Sequence, residues 1–167
     1  NALAAAARIA TYIDEVAARH RDDAADPTFD PPYTTCNLAT LHAGQAINIV
    51  PRRAELTWEY RPVPADDSDA LAAEVERYAT EVVLPQLRAT TGEGAITFRA
   101  DAVARGLAPE PDGVAEALVR RLTGATGPGG SVPFGTDGGH FQAAGLSTVV
   151  CGPGSIEQAH QPDEWIA

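Results

Sequence analysis

Ala54-Glu55-Leu56-Thr57-Trp58-Glu59-Tyr60-Arg61 alternates without a break. Ala54, Leu56, Trp58 and Tyr60 point one way; Glu55, Thr57, Glu59 and Arg61 point the other. That period of two is the mark of a half-buried strand. One face packs on helices and the other meets solvent or a partner. The chain rises into this strand from Asn48 through Val50 and Pro51, and Pro62 and Pro64 stop it, since proline has no N–H to give a ladder.

On its N-terminal side, Leu3, Ala6, Ile9, Ile13 and Val16 recur at helical spacing over about the first twenty residues. His20 falls in the charged last turn, where a solvated histidine near the helix C-terminus is expected. Asp26-Pro27 and Asp30-Pro31-Pro32 break the helix. Thr34 to His42 then alternates, with Cys36, Leu38, Thr40 and His42 on one face, and Ala43-Gly44-Gln45 reads as a turn. Beyond the opening strand, Asp66, Asp67 and Ser68 offer an N-cap. Leu71, Val75, Tyr78 and Val82 form a second apolar stripe that Pro85 ends or kinks. Ile96, Phe98, Ala100 and Ala102 mark a further strand. Helix, strand, strand, helix, strand is a split β-α-β pattern lacking its first strand. The expectation is an α+β, ferredoxin-like sandwich with an antiparallel sheet and two helices.

Arg105 to Pro111 is a Gly/Pro-containing joint, so a boundary is placed there, giving domains 1–104 and 105–167. A helix is predicted from an Asp112 N-cap through Leu118 and Leu122 to Gly124. The glycine-rich loop from Ala125 to Gly130 follows a helix and precedes none directly, which speaks against a phosphate cradle. Thr136 to Gln142 begins a short helix ending at Gly145. Thr148 to Cys151 reads as a strand dropping into Gly152-Pro153-Gly154 and a loop that carries His160. This tail is α/β in style but too short for a sheet with its own core.

The totals exclude several classes. A formal net charge of −11 argues against nucleic acid or an anionic membrane as partner. No apolar run reaches spanning length, and no signal peptide is evident. Cys36 and Cys151 lack metal-type spacing and read as buried thiols in strands. A cytoplasmic protein fits. The sequence opens at Asn1 in a helical pattern and closes straight after the histidine loop, so a fragment of a longer protein is expected.

Four histidines are available: His20, His42, His140 and His160. No His-x-x-x-His or paired-Cys spacing exists, and a zinc or cobalt site needs three or four ligands. Any metal site is therefore only partly supplied by this chain. Ser155 does not sit in a nucleophile elbow. Backbone amides from Thr136 to Gly139 either hold an anion such as a carboxylate or are simply capped by Thr136 or Asp137. Arg61 is either a surface arginine or a carboxylate clamp.

Pro153-Gly154-Ser155-Ile156-Glu157-Gln158-Ala159-His160-Gln161-Pro162-Asp163-Glu164 resembles the C-terminal signature of acetylornithine deacetylase-like members of the dinuclear-zinc family of aminoacylases, carboxypeptidases and succinyl-diaminopimelate desuccinylases. His42-Ala43-Gly44 followed by Asn48-Ile49-Val50-Pro51 looks like that family's dimerisation-domain motif, and Glu59-Tyr60-Arg61 like its acidic-x-Arg strand end. The resemblance implies a lid or dimerisation domain plus the C-terminal part of a catalytic domain. It implies hydrolysis of an N-acyl amino acid such as N-acetylornithine, in arginine biosynthesis, by a homodimer joined through the lid and holding two Zn2+ (Co2+ as an alternative) per complete site. His160 matches a metal ligand and His42 a lid histidine that reaches the partner's site and helps stabilise an oxyanion. Asn48 and Arg61 match substrate-side lid residues, Arg61 for a carboxylate. Thr136, Asp137 and Gly138 match a substrate-contacting loop. Ala43 stands where glycine is usual and Asp137 where a glutamate is expected; His140 has no counterpart. The other metal ligands and the base glutamate have no match here, so the chain alone is expected to be inactive. The alternatives are a catalytically inert dimerisation module, or a family member that cleaves a succinylated or peptide amide.

Overall fold

A computed structural model describes residues 1–23, 26–132, 134–159 and 161–166. The alanine-rich start forms α1, Ala2–Asp23, and buries Ala5, Ala6, Ile9, Ile13 and Val16; Leu3 stays outside this stripe. β1, Thr35–Ala43, and β2, Ala54–Arg61, form a two-stranded antiparallel sheet against α1. α2, Ser68–Tyr78, starts at Asp67, whose carboxylate accepts from the N–H groups of Asp69 and Ala70. A π turn, Ala79–Val83, joins it to α3, Leu84–Thr91. Gly92, at φ 72°, closes α3 in the left-handed conformation. The first part of the chain is therefore α+β, as expected.

The π turn changes which residues are buried. Pro85 cannot donate to a carbonyl one turn back, and its ring would crowd that carbonyl. A wider turn just ahead of it absorbs the misfit. The stripe then runs Leu71, Val75, Ala79 and Val83, and Val82, predicted on it, is exposed at 40 %. Ile9, Ile13, Val75, Ala79 and Val83 form the core, with Cys36, Leu56, Trp58, Tyr78 and Ile96 packed on it. Burying each large aliphatic side chain contributes roughly 1.5–3 kcal/mol.

The face assignment of β1 is corrected. The register slips between Leu38 and Thr40, leaving Ala39 as a bulge. Before it, Cys36 and Leu38 lie opposite Tyr60 and Trp58; after it, Leu41 and Ala43 lie opposite Leu56 and Ala54. His42 instead lies opposite Glu55, on the face away from the core, and does not share a face with Cys36 and Leu38.

Two predicted strands join no ladder. Residues 95–102 and 148–151 carry no strand, because an apolar run becomes a strand only when a second backbone pairs with it. An open cleft of about 2270 Å³ is lined by parts of α1, β2, residues 93–111 and residues 147–150. Cys151 is exposed, against expectation, while Cys36 is half-buried. In the C-terminal part, α4, Val114–Thr123, takes Gly113 rather than Asp112 as its N-cap; Asp112 itself is left-handed at φ 60°. The Ser147 hydroxyl accepts from Ala115 N–H, and Gly124 ends the helix as predicted. α5 spans Gly138–Ala143, and a short 3-10 turn covers Ile156–Gln158.

Candidate functional site

His42 sits one residue before the end of β1, exposed, with Glu55 across the ladder. The ten-residue loop 44–53 follows, and Asn48 lies exposed in its Ala46–Ile49 turn, where Ile49 N–H donates to Ala46 C=O at 3.1 Å. Ala2 N–H donates to Pro51 C=O at 2.9 Å, tying this loop to the start of α1. The loop also exposes Ile47, Ile49 and Val50. Apolar residues held at a hairpin tip suit contact with another surface.

Arg61 stands at the other end of the hairpin, opposite Thr35. Six residue steps of β2 separate it from Glu55, the partner of His42, or about 20 Å at strand rise. One chain therefore does not bring His42 and Arg61 together. Arg61 is exposed and its Nη2 donates to Glu59 Oε1 at 3.3 Å. An exposed pair of this kind contributes about 0–1 kcal/mol, so a ligand carboxylate can compete with Glu59 for the guanidinium.

Thr136, Asp137 and Gly138 lie near the Arg61 end. The chain at Arg105–Gly106 is the layer between: a Cβ on Gly106 would stand 3.3 Å from Pro62 O, and one on Gly139 would stand 2.2 Å from Arg105 O. Gly138 N–H is taken by Thr136 Oγ1 at 3.0 Å, so the capping reading holds for that amide. Asp137 is the N-cap but makes no side-chain cap bond. Gly138 and Gly139 are buried.

Three further contacts hold this loop, and sequence reading did not single them out. Gln142 accepts from Ala108 N–H and donates to Ala108 C=O, both at 3.0 Å, pairing as a strand would. It also donates to Glu110 Oε1 at 2.8 Å. Hydrogen bonds from Ser147 first, then Gln142, hold the Glu110 carboxyl below its ordinary range. His140 Nε2 lies 2.8 Å from Val103 O. A residue four steps past a predicted helix start gives no periodic signal of such a role. His20 is not solvated as expected: its Nδ1 is 3.0 Å from Asp66 Oδ2, and Asp66 also accepts from Thr34 Oγ1. The deeply buried Thr34 hydroxyl in turn accepts from Val63 N–H at 3.1 Å.

His160 lies outside the described residues. Among the described residues no group of three or more His, Cys, Asp or Glu side chains could hold a metal ion. Those residues alone do not supply the donor set of a dinuclear centre. No helix among them is long and apolar enough to cross a membrane.

A family profile described as a peptidase dimerisation domain matches residues 1–86. The chain is also similar to acetylornithine deacetylases from Myxococcus xanthus (30% identical over 148 residues) and Pectobacterium carotovorum (32% over 149), each match covering 84% of this chain. The Salmonella arizonae acetylornithine deacetylase is 31% identical over 161 residues, 92% of the chain. The chain spans about a third of the length of these relatives (35–37%). With a profile covering the helix, the hairpin and most of the second helical run, the chain belongs to the peptidase dimerisation domain family.

Proposed function

We propose that this chain is the lid and the C-terminal part of a metal-dependent amide hydrolase acting on an N-acyl amino acid, N-acetylornithine first. The observation that carries this reading is the extent of the likeness. It covers 84% of the chain, well past the dimerisation domain that ends at residue 86, so it includes the loop at 136–138 as well as the hairpin. In this reading Arg61 receives the substrate carboxylate with its two-pronged donor set. His42, exposed on the hairpin, donates to the oxyanion that develops on the scissile carbonyl. Asn48 and the loop from Thr136 to Gly138 border the substrate. His160 is the one metal ligand this chain contributes, to a pair of zinc ions whose other ligands come from elsewhere. The two-fold partner joins through the lid, and the enzyme works in the cytoplasm.

The test is hydrolysis by the full-length polypeptide that carries this chain, supplied with zinc, of N-acetylornithine against N-succinyl-diaminopimelate and a dipeptide. Preference for the acetyl substrate is expected. Preference for another amide would keep the chemistry and replace the substrate. No cleavage of any of them, with stable self-association retained, would favour the second reading, an inert dimerisation module. That reading draws on the profile match being confined to residues 1–86.

A further inference from the structure

α5 has six residues, too few to hold its place by its own hydrogen bonds. Contacts to one segment, 103–110, set its position. His140 Nε2 lies 2.8 Å from Val103 O, Gly139 backs onto Arg105 O, and Gln142 meets Ala108 and Glu110. Gln142 uses its whole amide there. The oxygen accepts from Ala108 N–H, and the two hydrogens go to Ala108 C=O and Glu110 Oε1. A carboxylate has no hydrogens to give, and a thioether has no donor at all. Glu110 also accepts from Ser147, whose hydroxyl takes Ala115 N–H near the start of α4 at 3.1 Å. The Gln142–Glu110 pair therefore stands where α4, α5 and the segment 103–110 meet.

The pair reaches the candidate site from two directions. His140 N–H and Phe141 N–H both donate to Asp137 C=O, at 3.0 and 3.1 Å, so α5 carries the loop 136–138 with it. On the other side, Gly106 lies against Pro62, the residue after Arg61, and against Pro64. Arg105 Nη2 is 3.4 Å from Asp69 Oδ2 on α2. Arg61 and Thr136 line the same open cleft. We propose that Gln142 and Glu110 are a positioning pair for substrate recognition: by locking α5 to 103–110 they set the spacing between the loop 136–138 and the Arg61 guanidinium. This rests on the amide-hydrolase reading above. Both residues act through the loop, so their effect falls on substrates whose carboxylate engages Arg61.

The full-length polypeptide that carries this chain is supplied with zinc and assayed on whichever of the three amides it prefers. It is assayed also on the methyl ester of that compound, which leaves Arg61 no carboxylate. Gln142→Glu sets a second carboxylate against Glu110 and opens the clamp. Adding Glu110→Gln restores the contact with the donor on the opposite side. Gln142→Glu is expected to raise KM for the acid roughly tenfold, with kcat, bound zinc and KM for the ester each within about twofold. The double variant recovers most of that loss. Gln142→Met, of similar length but without the hydrogen bonds, shows the same selective rise and replaces Gln142→Glu if that variant does not fold. An equal rise for acid and ester, no rise in either single variant, or no recovery in the double variant would overturn the pair's role while leaving the hydrolase reading intact. A wild-type protein that cleaves no amide overturns both.

Discussion

Cys36 and Cys151 separate two kinds of environment. Burial beside the core pushes the Cys36 thiol up to about 11, whereas Cys151 is exposed. Only the thiolate alkylates readily. Treatment with iodoacetamide at pH 8, read by mass spectrometry, is expected to label Cys151 first and Cys36 only as the chain unfolds; equal early labelling would contradict the packing of β1. Glu74 gives the sign of one acid-linked contribution. It accepts from Arg19 Nη2 at 2.6 Å and from Tyr12 Oη at 2.7 Å, and Tyr12 stacks on Tyr78 at 3.8 Å. The Arg19 hydrogen bond, above all, holds the Glu74 carboxyl below its ordinary value of about 4.5. A depressed carboxyl contributes stability that is present above the unfolded value and is lost as pH falls through the folded one. Glu74→Gln should therefore unfold more easily at neutral pH and show a shallower loss of stability below about pH 4.5. Urea midpoints measured across that window check both parts.

At the level of elements, a bulge, a π turn and a six-residue helix decide what the sheet and helices present. The bulge at Ala39 turns His42 outward; without it, His42 would face the helices. The π turn moves the buried stripe from Val82 to Val83. α5 grips the chain at 103–110 through His140, Gln142 and the bare backbone of Gly139. A Cβ at Gly139 would come within 2.2 Å of Arg105 O, a backbone atom that cannot swing aside. Gly139→Ala is expected to cost about 1–3 kcal/mol, the range for forced overpacking. The loss should be concentrated in α5, with faster amide exchange at Ala108. Unchanged exchange there would mean that α5 and the joint are not in contact. The joint at 105–111, read from composition as a boundary, is thus strapped on one side to α5 and on the other to Pro62 and Pro64.

For the molecule as a whole, the separation of His42 from Arg61 matters most. About 20 Å of strand is more than one small substrate bridges, so if both serve one site they come from different chains. Full-length proteins carrying His42→Ala and Arg61→Ala, each nearly inactive alone, should regain up to about a quarter of the wild-type rate when their subunits are mixed. In that case half the dimers are mixed and one of the two sites in each is intact. No recovery from verified mixed dimers would place both residues in the same chain's site, or neither.

The first helix, the β2 alternation, a cap among Asp66, Asp67 and Ser68 and the Gly124 stop were legible in the sequence because each is local. They depend on periodicity, on a side-chain oxygen two or three residues from an amide, or on the freedom of glycine to take positive φ. The outward turn of His42 was not legible, since a bulge shows only against a partner strand. Nor were the Gln142 clamp and the His20–Asp66 pair, which join residues 34 and 46 positions apart. The segments 95–102 and 148–151 show the same limit from the other side. Their composition is that of strands, but strand formation is a property of two backbones. The sequence by itself determined the α+β character of the first part of the chain. Which face His42 occupies, and that His42 and Arg61 stand apart, only the tertiary structure decided, because register and long-range packing set those positions.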